Sequence, residues 1–174
     1  ILHTNHVQHI SAELAANNDL FEDGDLLISM RGINAIAIYR PRAEKIVWAS
    51  RGPWQHQHYV RLREDGRIYL YDNSGGNKVV DEGTQKDSRI LAYDTNTQET
   101  EIIYYNPNHY YSYSFWRGYY HELDKGGYII NSPATGRVIQ INKDKEVVWE
   151  LRTIADREVA YTPFNKKITS TKFY

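Results

Sequence analysis

Gln55-His56-Gln57-His58 sets two histidines and two glutamines side by side, directly after Trp54 and directly before the alternating run Tyr59-Val60-Arg61-Leu62. In an extended strand, side chains two apart share a face, so His56 and His58 are expected to point one way and Gln57 the other. Two imidazoles on one face can hold a metal if further ligands converge. They can act as nucleophile or base where the site stabilises developing charge. They can also be a polar strand wall. A metal site would draw on His56 and His58 with His3, His6 or His9, and on Asp72 or Glu122. That set has no recognised ligand spacing.

These residues need a scaffold, and the patterning of the chain says which. The sequence has 174 residues, a formal net charge of -1 and no cysteine. Such a length fits one domain with a sizeable core. The near-neutral charge offers no basic surface to nucleic acid or to an anionic membrane. No apolar run is long enough to span a bilayer. Without cysteine there is no disulfide or thiolate chemistry, which leaves the compartment open. The first residue is Ile, so a trimmed or processed chain, or one read from a larger protein, is expected. Tyrosine stands at 15 and favours strands.

Alternation with period two runs along the chain, broken by Gly, Asp and Asn. It predicts strands over Leu26–Met30, Ala35–Arg40, Lys45–Ala49, Gln57–Arg63, Arg67–Asp72, Arg89–Asp94, Glu101–Tyr105, Trp116–Leu123, Tyr128–Asn131, Arg137–Asn142 and Glu146–Leu151. One short helix is predicted around Ser11–Ala16, and a polar loop over Ser74–Asp87. The strands repeat. Glu22-Asp23-Gly24-Asp25-Leu26-Leu27-Ile28 matches Glu64-Asp65-Gly66-Arg67-Ile68-Tyr69-Leu70 and resembles Asp124-Lys125-Gly126-Gly127-Tyr128-Ile129-Ile130. Lys45-Ile46-Val47-Trp48 matches Glu146-Val147-Val148-Trp149. Four strands per repeat is the mark of propeller blades, which bury their faces only by stacking. The expected fold is an all-β, incomplete β-propeller domain over residues 1–174. Its four-stranded antiparallel blades fall at about 4–53, 54–113 and 114–151, with 152–174 starting a further blade or covering an edge. Three blades fall short of a closed ring, so further blades from a longer parent chain, or another copy, are the expected partners.

In their order and spacing, several motifs resemble the bacterial-type arylsulfotransferases and their relatives. Asn5-His6-Val7-Gln8-His9-Ile10, Ile28-Ser29-Met30-Arg31, Ala35-Ile36 and Lys45-Ile46-Val47-Trp48 resemble the family's first-blade pattern. Trp54 with Gln57-His58 and Leu62, Tyr71-Asp72-Asn73, and Ser88-Arg89 resemble the second, and Gly118–Ile130 a strand pair of the third. The resemblance implies a six-bladed propeller that moves a sulfuryl group from a phenolic sulfate to a phenol. It implies no nucleotide donor or other cofactor, and a periplasmic or secreted location. It also implies histidines around a central channel, one of them transiently sulfated and lying in a later blade. By motif, His58 and His6 match channel histidines and His121 is a further candidate. An arginine that the family carries after the Asp-Asn motif is absent, since the chain reads Ser74-Gly75-Gly76-Asn77. Arg31 and Arg89 are the candidates to replace it. Trp54, His56 and Asn73 are the candidate substrate contacts.

That set suits the chemistry. A sulfuryl group, like a phosphoryl group, passes through a loose state with charge on its oxygens, so positioning and charge stabilisation dominate. Neutral imidazole is a nucleophile and an arginine fork a fixed donor, and no metal is required. The alternative is a propeller that binds or assembles without catalysis. Trp48 and Trp149 read as blade packing. The tyrosine-rich stretch Tyr104–Tyr120 reads either as an aromatic mouth for a phenol or as a packed connection between blades. His109 reads as a solvated loop residue.

Overall fold

The computed structural model describes residues 2–74, 88–105 and 113–152. The expected 74–87 loop, apart from Ser74, as well as His109 and residues 153–174, lie outside the described residues. Three four-stranded antiparallel sheets follow one another along the chain. The first holds β1 (Thr4–His9), β2 (Leu26–Met30), β3 (Ala35–Arg40) and β4 (Lys45–Ser50). The second holds β5 (His58–Leu62), β6 (Ile68–Asp72), β7 (Arg89–Tyr93) and β8 (Thr100–Tyr104). The third holds β9 (Tyr119–Glu122), β10 (Tyr128–Ser132), β11 (Arg137–Ile141) and β12 (Val147–Arg152). Each sheet is a simple meander in which sequence neighbours pair. These are propeller blades, and among the described residues they do not close on themselves.

The repeated glycine is explained by its backbone. Gly24, Gly66 and Gly126 all sit at positive φ, between 76° and 86°, one turn before the second strand of their blade. Only glycine adopts that conformation without a side-chain clash. In the second and third blades the turn closes alike, with Gly66 N–H on Arg63 O at 3.0 Å and Gly126 N–H on Leu123 O at 2.8 Å. The short helix α1 (Ala12–Ala15) is capped by Ser11, whose hydroxyl accepts from Leu14 N–H at 3.4 Å.

The second blade is buried on both faces, and its alternation shows how. Ile68, Leu70, Leu91 and Tyr93 face the first blade, where they join Leu27, Ile36, Ile38 and Trp54. Tyr69, Tyr71, Ile90 and Ala92 face the third blade, with Tyr120, Ile130, Ile139 and Ile141. The first strands of the three blades meet: β1 lies against β5, and β5 against β9. In a propeller these are the innermost strands. β1 and β5 are joined by side-chain amides rather than by a ladder. Gln8 donates to Leu62 O at 3.3 Å and accepts from Leu62 N–H at 2.7 Å, while Asn5 donates to Gln57 O at 2.8 Å.

Two expectations on strand extent change. The strand expected over Gln57–Arg63 begins only at His58, and β5 shifts register against β6 between His58 and Arg61. The strand expected over Trp116–Leu123 begins at Tyr119. Residues 114–117 are held instead in a loop whose carbonyls are bound by Asn73, with Arg117 at φ 58°.

Candidate functional site

The site grows from the start of β5. His58 is partly buried, and its Nδ1 lies 2.8 Å from Asn73 Oδ1 and 3.0 Å from the carbonyl oxygen of His56. Both partners are acceptors, provided the Asn73 amide is oriented as placed. That orientation is fixed, because Asn73 Nδ2 donates to the carbonyls of Ser114 at 2.6 Å and Arg117 at 2.5 Å. Nδ1 must therefore carry the proton, and Nε2 of neutral His58 holds a lone pair. Burial lowers the His58 pKa most, the hydrogen bonds it donates to Asn73 and the His56 carbonyl oppose this, and Arg31 and His3 lower it further. The imidazole is held neutral at physiological pH.

His56 does not share a strand with His58. It precedes β5 with φ at 54°, a left-handed conformation that costs a residue with a Cβ. The shared pleat expected from period two is therefore replaced by a turn. The turn is held by Asn34, whose Oδ1 accepts from His56 N–H at 2.8 Å and whose backbone oxygen accepts from Trp54 Nε1–H at 3.0 Å. Arg31 Nη2 stands 3.5 Å from His56 Nδ1. Burial, then Arg31, lowers the His56 pKa, Asp72 opposes this, and His3 lowers it again. Arg31 forms no ion pair with a carboxylate among the described residues. Arg31 thus stands against His56 and acts by its charge on both imidazoles.

Arg89 is placed otherwise. Its guanidinium forms an ion pair with Asp72, a fully buried carboxylate that also accepts from Gln55 N–H at 2.8 Å and Ser74 N–H at 2.9 Å. Arg89 neutralises a buried charge beside the site. Trp54 is 1% exposed and packs edge-on against Tyr93 at 5.2 Å between ring centroids. It belongs to the core rather than to a surface that a substrate reaches.

His6 lies farther along the inner strands. Its ring meets Tyr59 edge-on at 5.1 Å, and Tyr59 meets Tyr119 at 4.2 Å, so one aromatic row crosses β1, β5 and β9. His6 Nδ1 is buried with no hydrogen-bond partner among the described residues. Burial and then Arg61 lower its pKa, against a hydrogen bond with the Val60 backbone. His121 is exposed on β9, and no hydrogen bond or ring contact among the described residues joins it to His58. The tyrosine-rich stretch divides. Tyr104 and Tyr120 are core, Tyr119 is 40% exposed, and Phe115 and Trp116 stack at 5.7 Å on the exposed loop. Among the described residues no three of His, Asp and Glu gather as a metal would need.

Sequence reasoning did not single out Asn34, Tyr59 or Tyr119. Asn34 had a signal, being the last residue of a turn where a left-handed residue is wanted, and its φ is 54°. Tyr59 had none, because its φ of 48° belongs to the irregular stretch of β5.

Fold and site together define a β-propeller protein with His6 and His58 on its inner strands and His56 and Arg31 in the turns beside them. A family model described as arylsulfotransferase (ASST) matches residues 1–154. The chain belongs to that arylsulfotransferase family, and its function is arylsulfotransferase-like in general terms. No curated protein matches the chain.

Proposed function

We propose that this protein moves a sulfuryl group from a phenolic sulfate ester to a phenol through a histidine, and that His58 is that histidine within this chain. The observation that carries the reading is the fixed tautomer, in which the Nδ1 proton is committed to Asn73 and the His56 carbonyl. A neutral imidazole with Nε2 bare is a nucleophile without prior deprotonation. Nε2 attacks sulfur, the S–O bond to the aryl group breaks, and its electron pair leaves on the aryloxide. The sulfated imidazole then meets the acceptor phenol. The phenol oxygen forms the new S–O bond, the N–S pair returns to Nε2, and the phenolic proton replaces the one that the first aryloxide takes up. Arg31 supports the reading as a fixed donor to the sulfuryl oxygens. Asp72 and Arg89 hold the backbone at Gln55 and Ser74, and so hold the turn that carries His56. Further blades, from a longer chain or a second copy, would complete the ring around these inner strands.

The test is transfer from a phenolic sulfate to an acceptor phenol by the intact protein, with His58→Asn beside it. Loss on the order of a thousandfold is expected, with the fold kept. Rapid quenching and peptide mass analysis should find the sulfuryl group on His58. Sulfation of another histidine, with His58→Asn inactive, would move the nucleophile elsewhere and leave His58 the proton. Full activity in His58→Asn would favour a propeller that binds without catalysis.

A further inference from the structure

We infer that Asn73 is a positioning residue that couples the loop at residues 114–117 to the tautomer of His58. One buried amide then ties where the loop sits to the Nδ1 proton that it shares with the His56 carbonyl. Asn73 is fully buried, and each of its polar atoms has a partner: Oδ1 faces His58 Nδ1, and Nδ2 faces the carbonyls of Ser114 and Arg117. Turning the amide over would set NH2 against the imidazole N–H and Oδ1 against two carbonyl oxygens. Buried groups left unsatisfied in that way are costly. The carbonyls therefore decide the amide, and the amide, together with the His56 carbonyl, keeps the proton on Nδ1.

The loop is rigid enough to do this. Ser114 N–H donates to Ser88 Oγ at 2.9 Å, and the Ser88 hydroxyl returns a bond to Ser114 O at 3.3 Å. Gly118 follows with φ at 146°, and a Cβ there would fall 2.1 Å from the Tyr71 ring. The loop is thereby pressed against the second blade, with its carbonyls turned toward Asn73. The charged and titratable groups acting on His58 are Arg31 and His3, both from the first blade's side. Asn73 is its one side-chain hydrogen-bond partner among the described residues. Loop placement thus reaches the imidazole by hydrogen bonding, whereas the first blade reaches it by charge. The consequence for transfer rests on the function proposed above; the tautomer does not.

The experiment is nitrogen-15 NMR of the histidine rings in the intact protein, across a pH titration. In the wild type His58 should show Nδ1 protonated and Nε2 bare. Asn73→Asp keeps an acceptor on the imidazole, loses both donors to the loop and adds a negative charge. His58 should then titrate at higher pH than in the wild type. Asn73→Ala removes a bond that favours the charged ring, so His58 should titrate at lower pH, with the His56 carbonyl still holding the Nδ1 proton. The Trp116 indole resonance should shift in both variants as the loop is released. A residue that merely holds the fold would move both titrations together, toward an ordinary histidine. Shifts of the same sign, or a wild-type His58 protonated at Nε2, would overturn the assignment. The wild-type measurement decides even if a variant fails to fold. Should the NMR hold while transfer is absent, the reaction falls and the positioning role stands.

Discussion

The second blade has two faces, and its neighbours meet them by different means. Toward the first blade the contact is aliphatic, with Leu27, Ile36, Ile38 and Leu70 around Trp54. Several polar bonds that cross it run from amide side chains to backbone: Gln8 to Leu62, Gln57 to Ala35 O at 2.9 Å, and Asn18 to Gly66 O at 2.7 Å. Toward the third blade the contact is largely aromatic, with Tyr69, Tyr71, Tyr104 and Tyr120. There, among the described residues, Asn73 is the amide that reaches across to loop carbonyls, beside the Arg63–Glu122 ion pair and a bond between the Tyr71 and Ser132 hydroxyls at 3.1 Å. Amide-to-backbone bonds fix register, because donor and acceptor must both find their one partner. Flat rings tolerate sliding. The first contact therefore places Arg31 and His56 relative to His58, and the second orients the imidazole through Asn73.

The largest way to break this contrast is Trp54→Ala. Truncating a fully buried tryptophan costs about 3–5 kcal/mol, and it also releases the Asn34 turn that holds His56. Chemical denaturation should show the loss, and the Arg31–His56 contact should go with it. Gln8→Ala comes next. It strips partners from both backbone groups of Leu62, at about 1–3 kcal/mol for buried groups left unsatisfied. A loss too small to measure would mean that the register is set elsewhere.

Acid should act on the inner strands before the rest of the fold. His6, His56 and His58 all have folded pKa values below the ordinary 6.5, with burial the largest cause in each. The unfolded chain binds protons near that value while the fold resists until lower pH, so the unfolded state binds more protons in between. Stability is full above pH 6.5 and falls as pH drops through it toward the folded values. Denaturation midpoints should be flat between about pH 8 and 7 and decline below, with His58→Asn removing a share of the slope. A flat profile through the mildly acid range would show these histidines protonating without cost. The smallest effect is Tyr71→Phe. It deletes the hydroxyl that bonds Ser132, a hydrogen bond of a kind worth about 0.5–1.5 kcal/mol, and should leave the His58 titration unmoved.

The blades were legible because their signals are local. Alternation found the second and third strands of every blade to within a residue at either end, and the glycine before each second strand marked the repeat. The Ser11–Ala16 helix was readable from its cap. The site was legible in its residues and not in its shape. Gln57-His58 flagged the start of β5, yet His56 at φ 54°, Tyr59 at φ 48° and the register shift of β5 leave no mark in a two-residue period. The same limit hid the surroundings of Trp54, read as a substrate contact, and of Arg89, read as a replacement for the missing arginine. Whether an aromatic ring or a guanidinium faces solvent depends on a partner far along the chain, here Tyr93 for one and Asp72 for the other.

The meander of each blade bears on the order in which the molecule forms. Every strand pairs with its neighbour in sequence, the longest connections being residues 10–25 and 73–88, so the ladder bonds are comparatively local and can form early. The bonds that build the site span far more chain. Gln8 reaches Leu62 across 54 residues, and Asn73 reaches Ser114 across 41. Sheets can therefore be complete while Asn73 still lacks the loop carbonyls that orient it. A nascent chain gains its blades first and its chemistry last, when the blades dock.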